Sequence, residues 1–257
     1  MVISHLSSNI NRKKKRTMTI KYGTARVLVK IKQEVSSQGA MEKIGALINS
    51  IFCKGDWIEY HKSHKRKGYV FSPLILIKDG RKSYMQEINH VGDTCEFIVY
   101  SNNYDLLPLI ETQISDNDSF EVLDVTLDTV EWNSPVKRLI VKTPIMMREY
   151  GKLMVISHNS SEEEKQEYLD ILNKRIKQDF EYINEQELPD GYTFVKDIVD
   201  YRAKSIPYNG VKLVGTRCKL VVENDILSRI VTNHIVTHGI GEKSSLLGAG
   251  SVILKEY

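Results

Sequence analysis

Hydrophobic residues recur along the first half of the chain with two spacings. Apolar residues alternate with polar ones around Val27, Val29 and Ile31, which is the period of a strand. Ile44, Leu47, Ile48 and Ile51 instead follow the i, i+3, i+4, i+7 spacing of a helix face. The elements predicted in this way are, in order, a strand over 26–32, a helix over 40–52, strands over 69–77 and 94–100, a helix over 106–114 and a strand over 120–132. That order is the βαββαβ plan of a ferredoxin-like domain.

The second half of the chain partly repeats this order, after a linker predicted at Asn133-Ser134-Pro135. Ser160 or Ser161 is expected to cap a long amphipathic helix, and Asp225 to cap a second helix. Strands are predicted over 137–142, 194–201, 211–222 and 251–254. We therefore predict an α+β fold with two tandem ferredoxin-like domains, residues 19–132 and 136–257. The second is less regular and carries a C-terminal glycine-rich loop, and residues 1–18 form a basic flexible tail.

Formal charge is distributed unevenly along the sequence. The net charge is +3, but the run Arg12–Arg16 gives residues 1–18 a charge of +5, which leaves −2 for the remainder. A polyanion would therefore be bound by a local basic patch and not by the overall field. The tail is either a disordered extension or an arm that contacts nucleic acid.

Composition narrows the class of protein further. Hydrophobic residues make up 41% of the chain and charged residues 27%, so a packed core is expected. No stretch approaches the roughly 20 apolar residues that a membrane span needs, and no membrane partner is expected. Cys53, Cys95 and Cys218 are far apart and odd in number, which disfavours a disulfide framework and a zinc site. A reducing, cytoplasmic setting is the prediction.

The most unusual stretch is the glycine-rich segment 238–251, which contains Gly239, Gly241, Gly248 and Gly250. Glycines permit positive φ and expose backbone N–H groups, so a phosphate chain could approach closely. The segment fits neither a P-loop nor a dinucleotide fingerprint, because Lys243 follows Glu242 and residue 244 is serine. An ordinary glycine-rich turn and a contact to an RNA backbone both remain open.

This segment resembles the glycine-rich loop of the CRISPR-associated protein six family, the endoribonucleases of the RAMP superfamily that cut precursor CRISPR RNA within its repeats. The resemblance is carried by Gly239, Gly241, Glu242, Lys243, Ser245, Gly248 and Gly250, although one extra residue precedes Gly248 and Ala249 replaces a common aromatic. A second match is residues 61–74, in which a histidine precedes an aromatic-x-aromatic-Ser-x-Leu strand. The layout agrees over about residues 22–257, and the family's two ferredoxin-like folds agree with the pattern of hydrophobic positions.

The second matching segment is also strongly basic. Its first seven residues contain six potential cations: His61, Lys62, His64, Lys65, Arg66 and Lys67. A solvated basic loop is the plain interpretation. Metal binding by the two histidines is disfavoured, because four neighbouring cations repel a divalent ion and no carboxylate or cysteine lies at ligand spacing. Binding of a phosphate backbone fits better, and neither a metal nor another cofactor is expected.

The resemblance implies roles for individual residues. His61 falls on the family's catalytic histidine and Lys67 on its catalytic lysine, with His64 as an alternative base. Some relatives also use a tyrosine on the first helix, where this chain has about Asn49, and Tyr60, beside His61, is the expected substitute. Residues expected to bind RNA are His64, Lys65, Arg66, Gly239, Gly241, Lys243, Ser244, Gly248 and Gly250.

Other residues carry weaker signals. His90, His158 and His234 are isolated and are expected on the surface or in the core. The pairs Lys137-Arg138 and Arg217-Lys219 alternate with apolar residues, so they line either an RNA-contacting surface or a solvated strand face.

The function predicted is metal-independent cleavage of CRISPR repeat RNA in precursor transcripts. Attack by the ribose 2′-hydroxyl would leave a 2′,3′-cyclic phosphate and a 5′-hydroxyl. The alternatives are a non-catalytic RNA-binding RAMP subunit of an effector complex, and a nucleotide-binding or transferase enzyme on a ferredoxin-like fold. Effector-complex subunits are possible partners, and either a monomer or a homodimer is compatible with the sequence.

Overall fold

The computed structural model describes residues 18–53, 57–62, 67–83 and 87–255, with only the backbone given for His61. The predicted basic tail lies outside the described residues apart from Met18. The strands are β1 Ile20–Ile31, β2 Val35–Ser36, β3 Tyr69–Phe71, β4 Ile75–Lys78, β5 Arg81–Ser83, β6 Ile88–Asn89, β7 Thr94–Ser101, β8 Phe120–Trp132, β9 Arg138–Val141, β10 Met147–Glu149, β11 Lys152–Met154, β12 Val195–Tyr208, β13 Val211–Val222 and β14 Val252–Lys255. The helices are α1 Gly39–Ile51, α2 Ile58–Lys62, α3 Leu106–Gln113, α4 Glu162–Asn184, α5 Ile226–His238 and α6 Ser244–Leu247. Among the described residues, no helix combines the length and the apolar character that a membrane span demands.

In each half of the chain, the larger antiparallel sheet has the strand order of a ferredoxin-like module, and a two-stranded sheet, β2-β6 in the first half and β10-β11 in the second, lies beside it in the sequence. The first sheet has the order β5-β4-β7-β1-β8, with β3 also paired to β7, and the second has the order β12-β13-β9-β14. If the four strands of each βαββαβ unit are numbered in sequence, both sheets follow the order 2-3-1-4. The prediction of an α+β fold with two tandem ferredoxin-like modules is confirmed. The second module is interrupted between β9 and α4 by the β10–β11 hairpin.

The two modules share parts of their hydrophobic cores. Ile20 and Tyr22 of β1 pack in the core of the second module together with Trp132 of β8. In return, Ile206 and Tyr208 at the far end of β12 pack in the core of the first module. Burying apolar area in the neighbouring module stabilises the pairing of the modules as well as each sheet. The predicted domain boundary at 133–135 stays a prediction.

Arg229 of α5 holds the segment that joins the two sheets. Its side chain is buried and donates hydrogen bonds to the carbonyl oxygens of Trp132 at 2.9 Å, Ser134 at 3.0 Å and Met18. Burial lowers the pKa of this guanidinium. Because a guanidinium offers five donors, one side chain can bind three backbone carbonyls at once.

Local sequence signals account for the starts of α4 and α5 and for the tolerance of a proline in α3. Ser161 caps α4 in a capping box: its hydroxyl accepts from the N–H of Glu164 at 3.2 Å, while the Glu164 carboxylate accepts from the N–H of Ser161 at 2.9 Å. Asp225 caps α5 by accepting from the N–H of Ser228 at 2.6 Å. Pro108 is the third residue of α3, where the missing N–H costs no helical hydrogen bond. The predicted caps at Ser161 and Asp225 are confirmed.

The prediction of one strand over 69–77 is wrong. The structure divides it into β3 and β4, since Pro73 has no N–H to donate to a ladder. Ser72 bridges the gap: its N–H donates to the Ile98 carbonyl at 2.9 Å, and its hydroxyl accepts from the Ile98 N–H at 3.0 Å. The hydrophobic pattern also gave no signal for α2, α6 and the β10–β11 hairpin, all of which are short.

Candidate functional site

The glycine-rich segment begins where α5 ends and finishes where β14 begins, as predicted. Gly239, Gly241, Gly248 and Gly250 all have positive φ, between 57° and 82°. The four glycines also leave no room for a side chain. A Cβ on Gly241 would collide with the Met146 carbonyl, and one on Gly250 would collide with the backbone of Ile240. Glycine is therefore required at these positions both for its conformation and for close packing of backbone on backbone.

Several backbone N–H groups of the segment are already used inside the protein. The N–H groups of Gly239 and Gly250 donate to the carbonyls of Ile235 at 2.8 Å and Pro144 at 3.1 Å, and that of Glu242 donates to the Met146 carbonyl at 2.7 Å. All four glycines are buried, whereas Lys243 is exposed and Glu242 and Ser245 are half-exposed. The expectation that the glycines open backbone donors to a phosphate chain is wrong for Gly239 and Gly250, because those N–H groups form the base of the loop.

The loop is seated on the first module. A Cβ on Gly45 of α1 would collide with the Leu246 carbonyl, and a Cβ on Gly248 would collide with the Phe71 carbonyl of β3. Thr143 supports the base from beneath: its hydroxyl donates to the Gly248 carbonyl, and its oxygen accepts from the N–H of Ser251 at 3.0 Å. The C-terminal loop thereby lies beside the strand that directly follows the basic histidine segment.

Lys67 and Gly68 lead from the basic segment into β3, and Tyr60 of α2 braces them. The Tyr60 hydroxyl accepts from the N–H of Gly68 at 2.9 Å, and the Lys67 ammonium donates to the Tyr60 carbonyl. The same ammonium lies 4.6 Å from the centroid of the Tyr60 ring. Burial lowers the pKa of Lys67 and raises that of Tyr60, since it disfavours the charged form of each group.

A cavity of about 380 Å³ opens between these two segments. We call it the loop cavity; it is lined by Lys67, Asp179 of α4, His238 and residues 241–245. Two ammonium groups and two carboxylates thus border one space, and one of the carboxylates, Glu242, pairs with Arg148 at 3.2 Å. Ser244 and Ser245 complete a lining of mostly polar residues, which suits a charged, hydrogen-bonding ligand.

The structure brings some of the predicted site residues together at the loop cavity and leaves others elsewhere. Lys67, Gly241, Lys243 and Ser244 line it. Gly239, Gly248 and Gly250 are buried in the base of the loop. His61 lies on α2 by its backbone, and its side chain lies outside the described residues, as do His64, Lys65 and Arg66. The catalytic role of Tyr60 stays a prediction, alongside the bracing role described above.

Asn49 is the residue that the family resemblance sets at about the position of a first-helix tyrosine. It lies on α1, and its side-chain oxygen accepts from the hydroxyl of the buried Tyr69 at 3.5 Å. Asn49 is therefore engaged in packing α1 against β3.

Two residues of the loop cavity were not singled out from the sequence, Asp179 and His238. Asp179 lies far from both matching segments and carried no signal. His238 stands directly before the first glycine of the loop. That position in the sequence could have marked it as a candidate.

A second cavity, of about 330 Å³, lies between the two sheets, and we call it the sheet cleft. Its walls include residues 72–76 and Tyr100 of the first module and residues 142–144, 204–206 and Arg217 of the second. Burial lowers the pKa of both Lys142 and Arg217, and the charge of Arg217 lowers that of Lys142 further. Of the two basic pairs noted in the sequence, Arg217 contributes to this cleft, while Lys219 pairs with Asp200 at 2.6 Å.

No protein-family model matches the chain, and no curated protein matches it. Solved structures do share its fold. A CRISPR associated protein Cas6 superposes with a TM-score of 0.66 at 15% identity, over 92% of this chain and 100% of that chain. An RAMP protein binding different RNA substrates gives 0.68 at 17% identity, over 92% of this chain and 100% of that chain. A Cas6-related protein from Pyrococcus furiosus gives 0.67 at 16% identity, over 91% of this chain and 99% of that chain. The chain therefore has a Cas6- and RAMP-like fold.

Proposed function

We propose that this protein is a metal-independent endoribonuclease that binds CRISPR repeat RNA and cleaves it to release guide RNAs. The observation that carries the proposal is the loop cavity, where Lys67 of the basic segment and Lys243 of the glycine-rich loop border one space. These residues come from the two segments that resemble the Cas6 family, and they are far apart in the sequence. The similarity to the RAMP protein that binds RNA substrates supports RNA as the ligand.

The reaction needs little from the protein beyond positioning, proton transfer and charge. RNA supplies its own nucleophile, the 2′-hydroxyl beside the scissile phosphate. The protein must hold that hydroxyl in line with the departing 5′-oxygen, move one proton away from the first oxygen and one onto the second, and stabilise charge on the phosphorane. The products are a 2′,3′-cyclic phosphate and a 5′-hydroxyl.

Lys67 and His61 are assigned to these tasks. The Lys67 ammonium, oriented by the Tyr60 carbonyl and ring, would stabilise the non-bridging phosphate oxygens as a fixed charge. His61, in the same basic segment, would transfer a proton, since an imidazole titrates near neutral pH and serves as acid or base. Lys243, exposed at the cavity, would hold a neighbouring phosphate.

The sheet cleft would bind a single-stranded part of the same RNA. Lys142 and Arg217 are half-buried, and both burial and the charge of Arg217 disfavour the charged form of Lys142, so an anion bound between them would offset the desolvation and the repulsion. Tyr100 on the cleft wall offers a ring against which a base can stack. Recognition of unpaired bases is the usual route to sequence-specific RNA binding.

Incubation of the purified protein with repeat RNA in EDTA tests the proposal. We expect a single cut within the repeat, with a 2′,3′-cyclic phosphate on one product and a 5′-hydroxyl on the other, established by end-labelling and phosphatase treatment. Cleavage that requires a divalent ion, or products with a 3′-hydroxyl, would contradict the mechanism.

The second candidate function is RNA binding without cleavage, as a RAMP subunit of an effector complex. It is favoured by the absence of a tyrosine from α1. Asn49, which stands in its place, is engaged in a hydrogen bond with the buried Tyr69. Tight binding of repeat RNA with no cut after prolonged incubation would establish this alternative.

A further inference from the structure

A buried histidine, His238, lies beside the two lysines of the loop cavity. It is the last residue of α5, its side chain is buried, and it lines the cavity with Lys67 and Lys243. Its Nε2 points toward the basic segment: a Cβ built on Gly68 would lie 3.8 Å from that nitrogen. One nitrogen of a buried imidazole thus faces the same space as the two ammonium groups.

Hydrogen bonds to the other ring nitrogen define the tautomer of His238. Nδ1 lies 3.1 Å from the His234 carbonyl oxygen, which can only accept, and 2.9 Å from Thr237 Oγ1. The Thr237 hydroxyl donates to the Asn233 carbonyl at 2.9 Å, so toward His238 its oxygen accepts as well. Nδ1 therefore carries the hydrogen, and in the neutral ring Nε2, on the side of Gly68, is the nitrogen that can accept a proton.

Ring packing fixes the plane of this imidazole. His238 stacks on His234 with centroids 4.5 Å apart and planes 14° apart, and His234 in turn meets Phe180 edge-on at 5.5 Å. A ring held by stacking and by two acceptors needs little rearrangement when a substrate arrives. Preorganisation of this kind is a main source of catalytic effect.

We propose that His238 is the general base of the reaction, a role that rests on the proposed function and deepens it. Nε2 takes the proton of the 2′-hydroxyl while the 2′-oxygen forms its bond to phosphorus. The bond from phosphorus to the 5′-oxygen breaks, and that oxygen receives a proton from the imidazolium form of His61. The His234 carbonyl has the orienting role that a carboxylate has in a catalytic triad. His238 is then a third reacting group, which compensates for the asparagine at position 49.

The variant His238→Asn tests this assignment, with His158→Asn as its matched control on the exposed loop that precedes α4. Asn retains an N–H that can reach the His234 carbonyl and removes the base. We expect His238→Asn to bind repeat RNA with a 2′-deoxy at the cleavage site within about threefold of wild type. Its single-turnover cleavage should be at least about 100-fold slower, the effect typical of losing a general base. The control should cleave at the wild-type rate.

Far-UV circular dichroism and the RNA affinity first establish that the variant is folded. His238→Ala then offers a second route, since imidazole added to the buffer should restore part of its cleavage. A folded His238→Asn that cleaves within threefold of wild type overturns the inference but leaves the proposed function standing. A wild-type protein that binds repeat RNA and never cleaves it overturns both.

A substrate with sulfur in place of the 5′-oxygen distinguishes a base from an acid, because a thiolate departs without being protonated. The defect of His238→Asn should persist on this RNA if His238 acts on the 2′-hydroxyl. If the defect disappears, His238 acts on the leaving group and its assignment as the base is overturned.

Discussion

The loop cavity and the sheet cleft are similar in volume and differ in the groups that line them. The loop cavity is bordered by groups that titrate or carry charge, namely Lys67, Asp179, His238 and residues 242–243. The sheet cleft has mostly apolar walls, among them residues 73–76 and Ile206, with Lys142 and Arg217 set into them. A site that moves protons needs several polar groups around one point, whereas a site that only holds RNA needs cations and apolar surface. The difference predicts that changes in the two places separate cleavage from binding.

The largest effect is expected for His61→Ala in the basic segment. Cleavage should be abolished, which here means that its rate falls by about 1,000-fold or more, since the variant lacks the group that makes one of the two proton transfers. Binding of RNA should persist because the sheet cleft and the loop are unchanged. Single-turnover cleavage and filter binding measure the two quantities. Near wild-type cleavage by this variant would contradict the assignment of His61.

Lys67→Ala should slow cleavage by about 100-fold, which is less than the effect of His61→Ala. The variant loses the positive charge that stabilises the phosphorane but keeps both proton transfers. Binding should weaken only slightly. Lys62→Ala, at an exposed position of α2, is the matched control, since it removes a lysine that does not line the loop cavity. An equal loss in both variants would mean that Lys67 contributes only to the general basic field.

The pH dependence of cleavage sharpens the role of Lys67. If its charge is required, the rate falls as pH rises through its pKa. Burial lowers that pKa, so the fall should begin at a lower pH than for an exposed lysine, whose pKa is about 10.4. In Lys67→Arg the guanidinium stays charged, and the alkaline fall should move to higher pH. A fall at the same pH in both proteins would assign it to another group.

Gly45→Ala tests the close backbone contact between α1 and the glycine-rich loop. The added Cβ would collide with the Leu246 carbonyl, so residues 243–246 must shift relative to Lys67. A misplacement of about 1 Å at a catalytic site can lower the rate about 100-fold, and we expect a loss of about ten- to 100-fold. Ala46→Ser adds one atom at an exposed position of the same helix and should leave the rate unchanged. Wild-type cleavage by Gly45→Ala would show that the loop wall does not position the substrate.

The smallest effect is expected in the sheet cleft. Lys142→Gln combined with Arg217→Gln should weaken RNA binding about tenfold and leave the single-turnover rate at saturating protein unchanged. The dependence of affinity on salt should also become shallower, by about 0.7 in log–log slope for each phosphate that the variant no longer neutralises. Lys212→Gln, on the exposed start of β13, controls for the removal of positive charge. A reduced rate at saturation would mean that the cleft also takes part in cleavage.

Local signals were sufficient to predict the fold class from the sequence. Period-two and helical spacing identified both βαββαβ units, and side-chain caps identified the starts of α4 and α5, because these features act over only a few residues. The break at Pro73 and the short helices α2 and α6 were missed, since a run of four or five residues carries too little periodicity to be recognised.

Only part of the candidate site could be predicted from the sequence. Residue types and spacing pointed to Lys67 and to the glycine-rich loop, but nothing local indicated that the two border one cavity with His238 and Asp179. That arrangement depends on close backbone contacts, Gly45 with Leu246 and Gly248 with Phe71, which form only when both modules are assembled. Local pattern was therefore enough to predict the longer helices and strands, whereas the side chains that share the loop cavity follow only from the folded chain, because contacts between distant segments depend on packing and not on local pattern.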